Sequence, residues 1–173
     1  DKTAATVAFE KMLQSILNKG LTIERPKPGG EITAGHIALQ VFAPNAGDYA
    51  DVNNYSIVCK LIYGRTSFLF MGDAEALSEK EMLAQGYDLS ANVLKIGHHG
   101  SVTSTDPAFL AAVHPDMAVI SCAEDNSYGH PHTETLEKLE NAQATVYRTD
   151  LQGTITMRSD GNSIAVETEK PGA

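Results

Sequence analysis

A chain of 173 residues that is 42% hydrophobic and 20% charged can bury one substantial core and lies far from disordered composition. Its formal charge of −9 sets the surface as a whole against phosphate backbones, which disfavours extended nucleic-acid binding. No apolar run approaches the roughly 18 residues of a membrane span, so no membrane contact is expected from this chain.

In chain order, residues 3–19 are expected to be helical: Phe9, Met12, Leu13, Ile16 and Leu17 share a face, Thr3 can cap the start, and Gly20 follows the end. That face should lie on a sheet. After the turn chemistry of PKPGG, residues 36–42 (HIALQVF) read as a strand, followed by a polar loop from Pro44 to Asn53. The runs YSIVCKLIY and TSFLFMG flank Gly64-Arg65 and predict a hairpin. Residues 75–85 turn helical, with a Ser78 to Glu81 capping-box pattern and Gly86 as terminator.

A strand follows at NVLKI, then a short helix over STDPAFLAAV, capped by Thr105 or Asp106 with Pro107 in its first turn. MAVIS (117–121) reads as a buried strand, residues 131–141 as a helix with Leu136 and Leu139 inward, and ATVYRT as a strand. The end predicts a hairpin, GTITMRS and SIAVETE, turned at Asp160-Gly161-Asn162. This order, β-rich at the front and alternating behind, predicts one layered α/β domain over residues 1–173. Cys59 and Cys122 lack CxxC spacing and read as buried free thiols in preference to a disulfide.

Three clusters at strand ends could carry chemistry. In LFMGDAE, Asp73 follows an apolar strand and could bridge cations, orient water or cap a helix. In LKIGHHGS, His98 and His99 sit between glycines. Successive side chains of an extended segment point to opposite faces, so both imidazoles can serve one site only where the chain bends. Ser101 offers a hydroxyl or a cap. In NSYGHPH, Asn126, Tyr128 and His130 share a loop, with His132 at a helix start; each taken singly is an ordinary loop or cap residue. His36 and His114 lack polar company and read as structural.

Together NNYSIVCKLIYGRTSFLFMGDAE, NVLKIGHHGSVTST, AVISCAEDNSYGHPHTETLEKL and VYRTDLQGTI resemble the metallo-β-lactamase-type hydrolase domain of ComEC-type competence proteins and their free-standing secreted relatives, over about residues 3–161. The resemblance implies an αββα four-layer sandwich with two zinc or manganese ions at one edge, activating water for attack on phosphorus or a carbonyl. Asp73 resembles the metal-bridging carboxylate. One of His98 and His99 is implied as a ligand, with His99 favoured, and the other faces substrate. His130 resembles a site-lining histidine that contacts phosphate or gives a proton to the leaving group, with Ser101, Asn126 and Tyr128 on the substrate side.

The family's leading metal motif, HxHxDH, is not found in these residues. The chain is therefore expected to be the C-terminal portion of a longer protein, a sandwich incomplete on its N-terminal side, inactive and weak in metal binding by itself. The parent is expected to be a metal-dependent hydrolase, a phosphodiesterase acting on a small anionic or phosphodiester substrate. DNA fits the resemblance but is disfavoured by the net charge. The alternative is a non-catalytic module that pairs with a missing half-domain, since an exposed sheet edge invites oligomers. Free-standing relatives point to an extracellular or cell-surface location.

Overall fold

Seven strands pair in an order that follows the chain, β1 to β7, in a computed structural model that describes residues 6–171. They are β1 (Glu31–Ala34), β2 (Ile37–Ala43), β3 (Val58–Tyr63), β4 (Thr66–Phe70), β5 (Val93–Lys95), β6 (Met117–Ile120) and β7 (Thr145–Arg148). The first four are antiparallel, β1–β2 and β3–β4 joined by short turns and β2–β3 by a longer loop over residues 44–57. From β4 onward the strands are parallel, because α2 (Ala76–Ala84), α3 (Pro107–Val113) and α4 (Thr133–Asn141) carry the chain back between them. A separate hairpin, β8 (Ile155–Ser159) and β9 (Ile164–Thr168), follows the four-residue helix α5 (Thr149–Gln152). It meets the β3–β4 turn, where Arg65 N donates to Gly161 O at 2.6 Å and the hydroxyls of Thr66 and Ser159 lie 2.6 Å apart.

Side-chain alternation decides which face of the sheet is dry. Leu69, Leu94 and Ala118 lie in register across β4, β5 and β6 and are buried with Met82, Phe109, Leu110 and Leu139 from the helices. The opposite face carries Cys59, Leu61, Phe68, Phe70 and Val119, half-buried or exposed. A sheet with helices over one face and apolar side chains on the other is an α/β architecture. Among the described residues, no helix is long and apolar enough to cross a membrane.

Several expectations need adjustment. α1 spans Val7–Asn18, and Thr6 caps it by accepting from Phe9 N at 3.2 Å; Thr3, the predicted cap, lies outside the described residues. None of its residues is buried, so the expected packing on a sheet is not seen: an amphipathic stripe specifies the need for a partner without supplying one. Strand β1 escaped prediction because all four of its residues are exposed at the sheet edge and show no burial alternation. α2 begins before the Ser78–Glu81 box. Its opening N–H groups are met from outside, by Asn54 Oδ1 at 3.3 Å from both Glu75 N and Ser78 N, which leaves Ser78 as a buried helix residue. α4 starts at Thr133, and Asp106 rather than Thr105 caps α3, accepting from Ala108 N at 2.9 Å. Both cysteines are free thiols and half-buried; burial pushes Cys59 up, and burial followed by Asp150 pushes Cys122 up to about 11.

Beneath the strand ends lies Glu79, 1% exposed on α2, whose carboxylate accepts Thr105 N at 2.6 Å and Asp106 N at 2.8 Å. It holds the loop leading into α3. Burial pushes its pKa from 4.5 up to about 7, against the two backbone N–H groups that favour its charged form. A carboxyl with a raised folded pKa binds its proton more readily folded than unfolded. Its contribution is therefore fully present below pH 4.5 and is lost as pH rises through about 7. Denaturant titrations from pH 4.5 to 8 should show a stability loss of up to roughly 3 kcal/mol that Glu79→Gln lacks; parallel profiles for the two proteins would refute this.

Candidate functional site

All four parallel strands end at one edge, and every sequence-predicted site residue follows one of them. After β4, Gly72-Asp73 turns away with Asp73 N donating to Ser56 Oγ at 3.0 Å. After β5, Gly97-His98-His99-Gly100 coils into a tight turn in which both histidines are left-handed, at φ 47° and 56°. That is how adjacent side chains reach one site: positive φ removes the alternation of an extended strand. Such a conformation persists in a non-glycine residue only where its surroundings hold it. Here His98 N donates to Gly72 O at 3.0 Å, Ser101 N to His98 O at 2.9 Å, and Ser104 Oγ to Gly97 O at 2.9 Å.

The flanking glycines are required by space. A Cβ on Gly97 would lie 2.7 Å from Ala74 O, and one on Gly100, at φ +84°, would lie 2.7 Å from Pro131 Cβ. The turn is thus wedged between the loops that follow β4 and β6.

Each imidazole is oriented by an acceptor at Nδ1. His99 Nδ1 lies 2.7 Å from Ser121 O, and His98 Nδ1 lies 3.1 Å from Glu75 Oε1. A carbonyl only accepts, so in the neutral His99 ring Nδ1 carries the proton and Nε2 keeps the lone pair. His99 Nε2 then faces Asp73 Oδ1 at 3.4 Å. Two acceptors brought this close call for a cation between them, either a second proton on His99 or a metal ion.

The loop after β6 completes the edge. Asn126 is spent on the loop itself: its Oδ1 accepts His130 N at 2.9 Å and its Nδ2 donates to His130 O at 2.6 Å. This holds the His130 ring 5.5 Å from that of His98 and 6.4 Å from that of His99. Burial lowers the His130 pKa, and the neighbouring His132, His98 and His99 lower it further, which favours the neutral ring. Tyr128, 76% exposed, stacks on His130 at 5.7 Å. A cleft of about 430 Å³ opens beside them, lined by His99, Cys122, Asn126, Tyr128 and His130.

Asp73, His98, His99, His130 and Tyr128 therefore come together. Ser101 does not reach the cleft: it is buried, with its hydroxyl 3.0 Å from that of Thr103. His132 Nδ1 accepts Val102 N at 3.0 Å, a loop contact. His36 and His114 stand apart, in the β1–β2 turn and at the C-terminal cap of α3. Sequence reading passed over Glu75, two residues beyond Asp73, and Lys95, whose ammonium lies in the field of Asp73. Burial lowers the Lys95 pKa and Asp73 opposes that shift. Their signal was proximity in sequence to residues already singled out.

As a metal centre the donor set fits in part. Asp73 and His99 offer a carboxylate and an imidazole lone pair at one point, with Ser121 O orienting the histidine from behind in the manner usual for metal-bound imidazoles. Among the described residues no group of three or more His, Cys, Asp or Glu side chains has metal-holding geometry. Zinc normally takes at least three protein ligands, so these residues supply a portion of such a set.

The fold and this edge define an α/β protein with a carboxylate and clustered imidazoles at the ends of its parallel strands. No protein-family model matches the chain. It is 38% identical over 149 residues to ComE operon protein 3 of Bacillus subtilis, covering 86% of this chain and 19% of that protein. It is 37% identical over 118 residues to Recombination protein 2 of Haemophilus influenzae, covering 68% of this chain and 15% of that protein. It is 32% identical over 120 residues to competence protein ComA of Neisseria gonorrhoeae, covering 69% and 17%. The chain is thus homologous to one segment of competence-related proteins and spans less than one fifth of the first of them.

Gly100→Ala should cost about 1–3 kcal/mol through the Pro131 clash and the lost left-handed freedom. Its imidazole NMR signals for His98 and His99 should move while core methyl signals stay. Unchanged stability with unmoved imidazoles would mean that the turn is not wedged.

Proposed function

We propose that this chain is the C-terminal part of a metallo-β-lactamase-type hydrolase domain, the parent protein being a metal-dependent phosphodiesterase related to the ComEC-type competence proteins. The observation that carries this reading is the convergence of His99 Nε2 on Asp73 Oδ1, with Ser121 O accepting at His99 Nδ1 from behind. Asp73 and His99 would hold metal, with the remaining ligands contributed by parent sequence beyond these residues. When bound, the metal supplies Lewis acidity toward water and a phosphoryl oxygen.

The chain's own residues divide the other tasks. His98 turns a lone pair toward the histidine cluster and accepts a proton or contacts substrate. His130, kept neutral, donates a hydrogen bond to a phosphoryl or leaving-group oxygen. Tyr128 and the neighbouring cleft accommodate the substrate's apolar part. A small phosphodiester suits a chain of charge −9 better than extended DNA. The half-bare face of the sheet supports an incomplete four-layer sandwich, whose second sheet would cover Leu61, Phe68 and Phe70.

That same face supports a second reading, a non-catalytic module that docks onto a missing half or self-associates through the exposed β1 edge. Metal content and hydrolysis of bis(4-nitrophenyl) phosphate, measured on this chain and on the longer parent with zinc or manganese, separate the two. The hydrolase reading expects less than one tight ion on the 173-residue chain. In the parent it expects metal-dependent turnover reduced by about 100-fold or more in Asp73→Ala and in His99→Ala. Turnover in the parent that is indifferent to Asp73→Ala, or no turnover with concentration-dependent assembly by light scattering, would favour the module.

A further inference from the structure

We infer that Glu75 is a positioning residue for His98, its carboxylate fixing the imidazole as the Nδ1–H tautomer so that Nε2 remains a lone-pair acceptor within the histidine cluster. For its use in catalysis this inference rests on the hydrolase reading above; the tautomer assignment stands on geometry alone.

Glu75 Oε1 lies 3.1 Å from His98 Nδ1, and the two side chains are 15% and 25% exposed, so the contact is largely withdrawn from competing water. The carboxylate is itself held. Thr103 Oγ1 donates to the same oxygen at 2.8 Å, Ala76 N donates to Thr103 O at 2.9 Å, and Glu75 N donates to Asn54 Oδ1 at 3.3 Å. Glu75 precedes α2 without using its side chain as a helix cap, which leaves the carboxylate available for the histidine. His98 is in turn fixed by its left-handed backbone and by the bond from its N–H to Gly72 O.

A carboxylate in this position has one consequence for the ring. Free imidazole side chains favour the Nε2–H form, which would present a donor to the cluster. The Glu75 contact reverses that preference, because an acceptor-only group demands the proton at Nδ1. The Thr103 hydroxyl is the one competitor, at 3.4 Å from His98 Nδ1, and its proton is directed to Glu75. His98 can therefore accept a proton from water or a substrate hydroxyl, or present a lone pair, without first changing tautomer.

Long-range nitrogen–proton NMR of the imidazoles in this chain at pH 8 tests the assignment directly. In the wild type, His98 should show an unprotonated Nε2. In Glu75→Ala that signature should move to Nδ1, while His99, held by Ser121 O, keeps its own pattern as the internal sign that the edge stays folded. Glu75→Gln should largely restore the wild-type pattern through its amide oxygen, and Thr103→Val should leave it intact. An Nε2–H form in the wild type, no change in Glu75→Ala, or a switch in Thr103→Val would each overturn the inference. Because the readout is a protonation pattern in the unliganded chain, its failure removes the Glu75 assignment alone, whereas absent hydrolysis in the parent removes the hydrolase reading alone.

Discussion

Everything at the edge of this protein depends on one backbone constraint, the left-handed turn through His98 and His99. A single non-glycine residue in that region is uncommon, and two in succession are unfavourable without support. The support comes from three strands at once. The Gly72 carbonyl after β4 receives His98 N, Ser104 from the loop before α3 donates its hydroxyl proton to Gly97 O, and Pro131 after β6 closes against Gly100. Moving any of these loops moves both imidazoles, so the geometry of the site is a property of the packing between loops.

That packing is secured by polar groups buried beneath the edge. Asn54 reaches from the loop before β3 to the start of α2, and Glu79 reaches from α2 to the loop before α3. Each joins loops that share no secondary-structure ladder, and each leaves costly unpaired partners if removed. Apolar contacts between the helices and Leu69, Leu94 and Ala118 hold the layers together; the buried polar groups decide where the loops between them lie.

The strands of the sheet interior and the helix types were legible in the sequence because burial on one face imposes a pattern, as in NVLKI and MAVIS. Strand β1 was not, since a fully exposed edge strand carries no such pattern, and neither was the true start of α2, whose first N–H groups are met by Asn54 from 21 residues away. Asp73, His98, His99 and His130 were legible by residue type and by position at strand ends. Glu75 was not, because a glutamate at the start of a helix is common. Its contact with His98 depends on how two crossover loops meet, which local sequence does not encode. Ser101 failed in the opposite sense: a hydroxyl beside the histidines suggested substrate, yet the turn directs it inward to Thr103.

On the hydrolase reading proposed above, the arrangement would let an acidic chain carry a centre for an anionic substrate. Asp73 places a carboxylate at 3.4 Å from a ring nitrogen whose lone pair points toward it, and the Lys95 ammonium in its field has its charged form disfavoured by burial. Left so, the edge is short of positive charge exactly where two donor atoms converge. A divalent ion supplied with further ligands would reverse the local field without altering the surface charge elsewhere. Phosphate recognition would then depend on that ion and on neutral N–H donors such as His130, a design in which affinity is set at a few atoms and not by a basic surface.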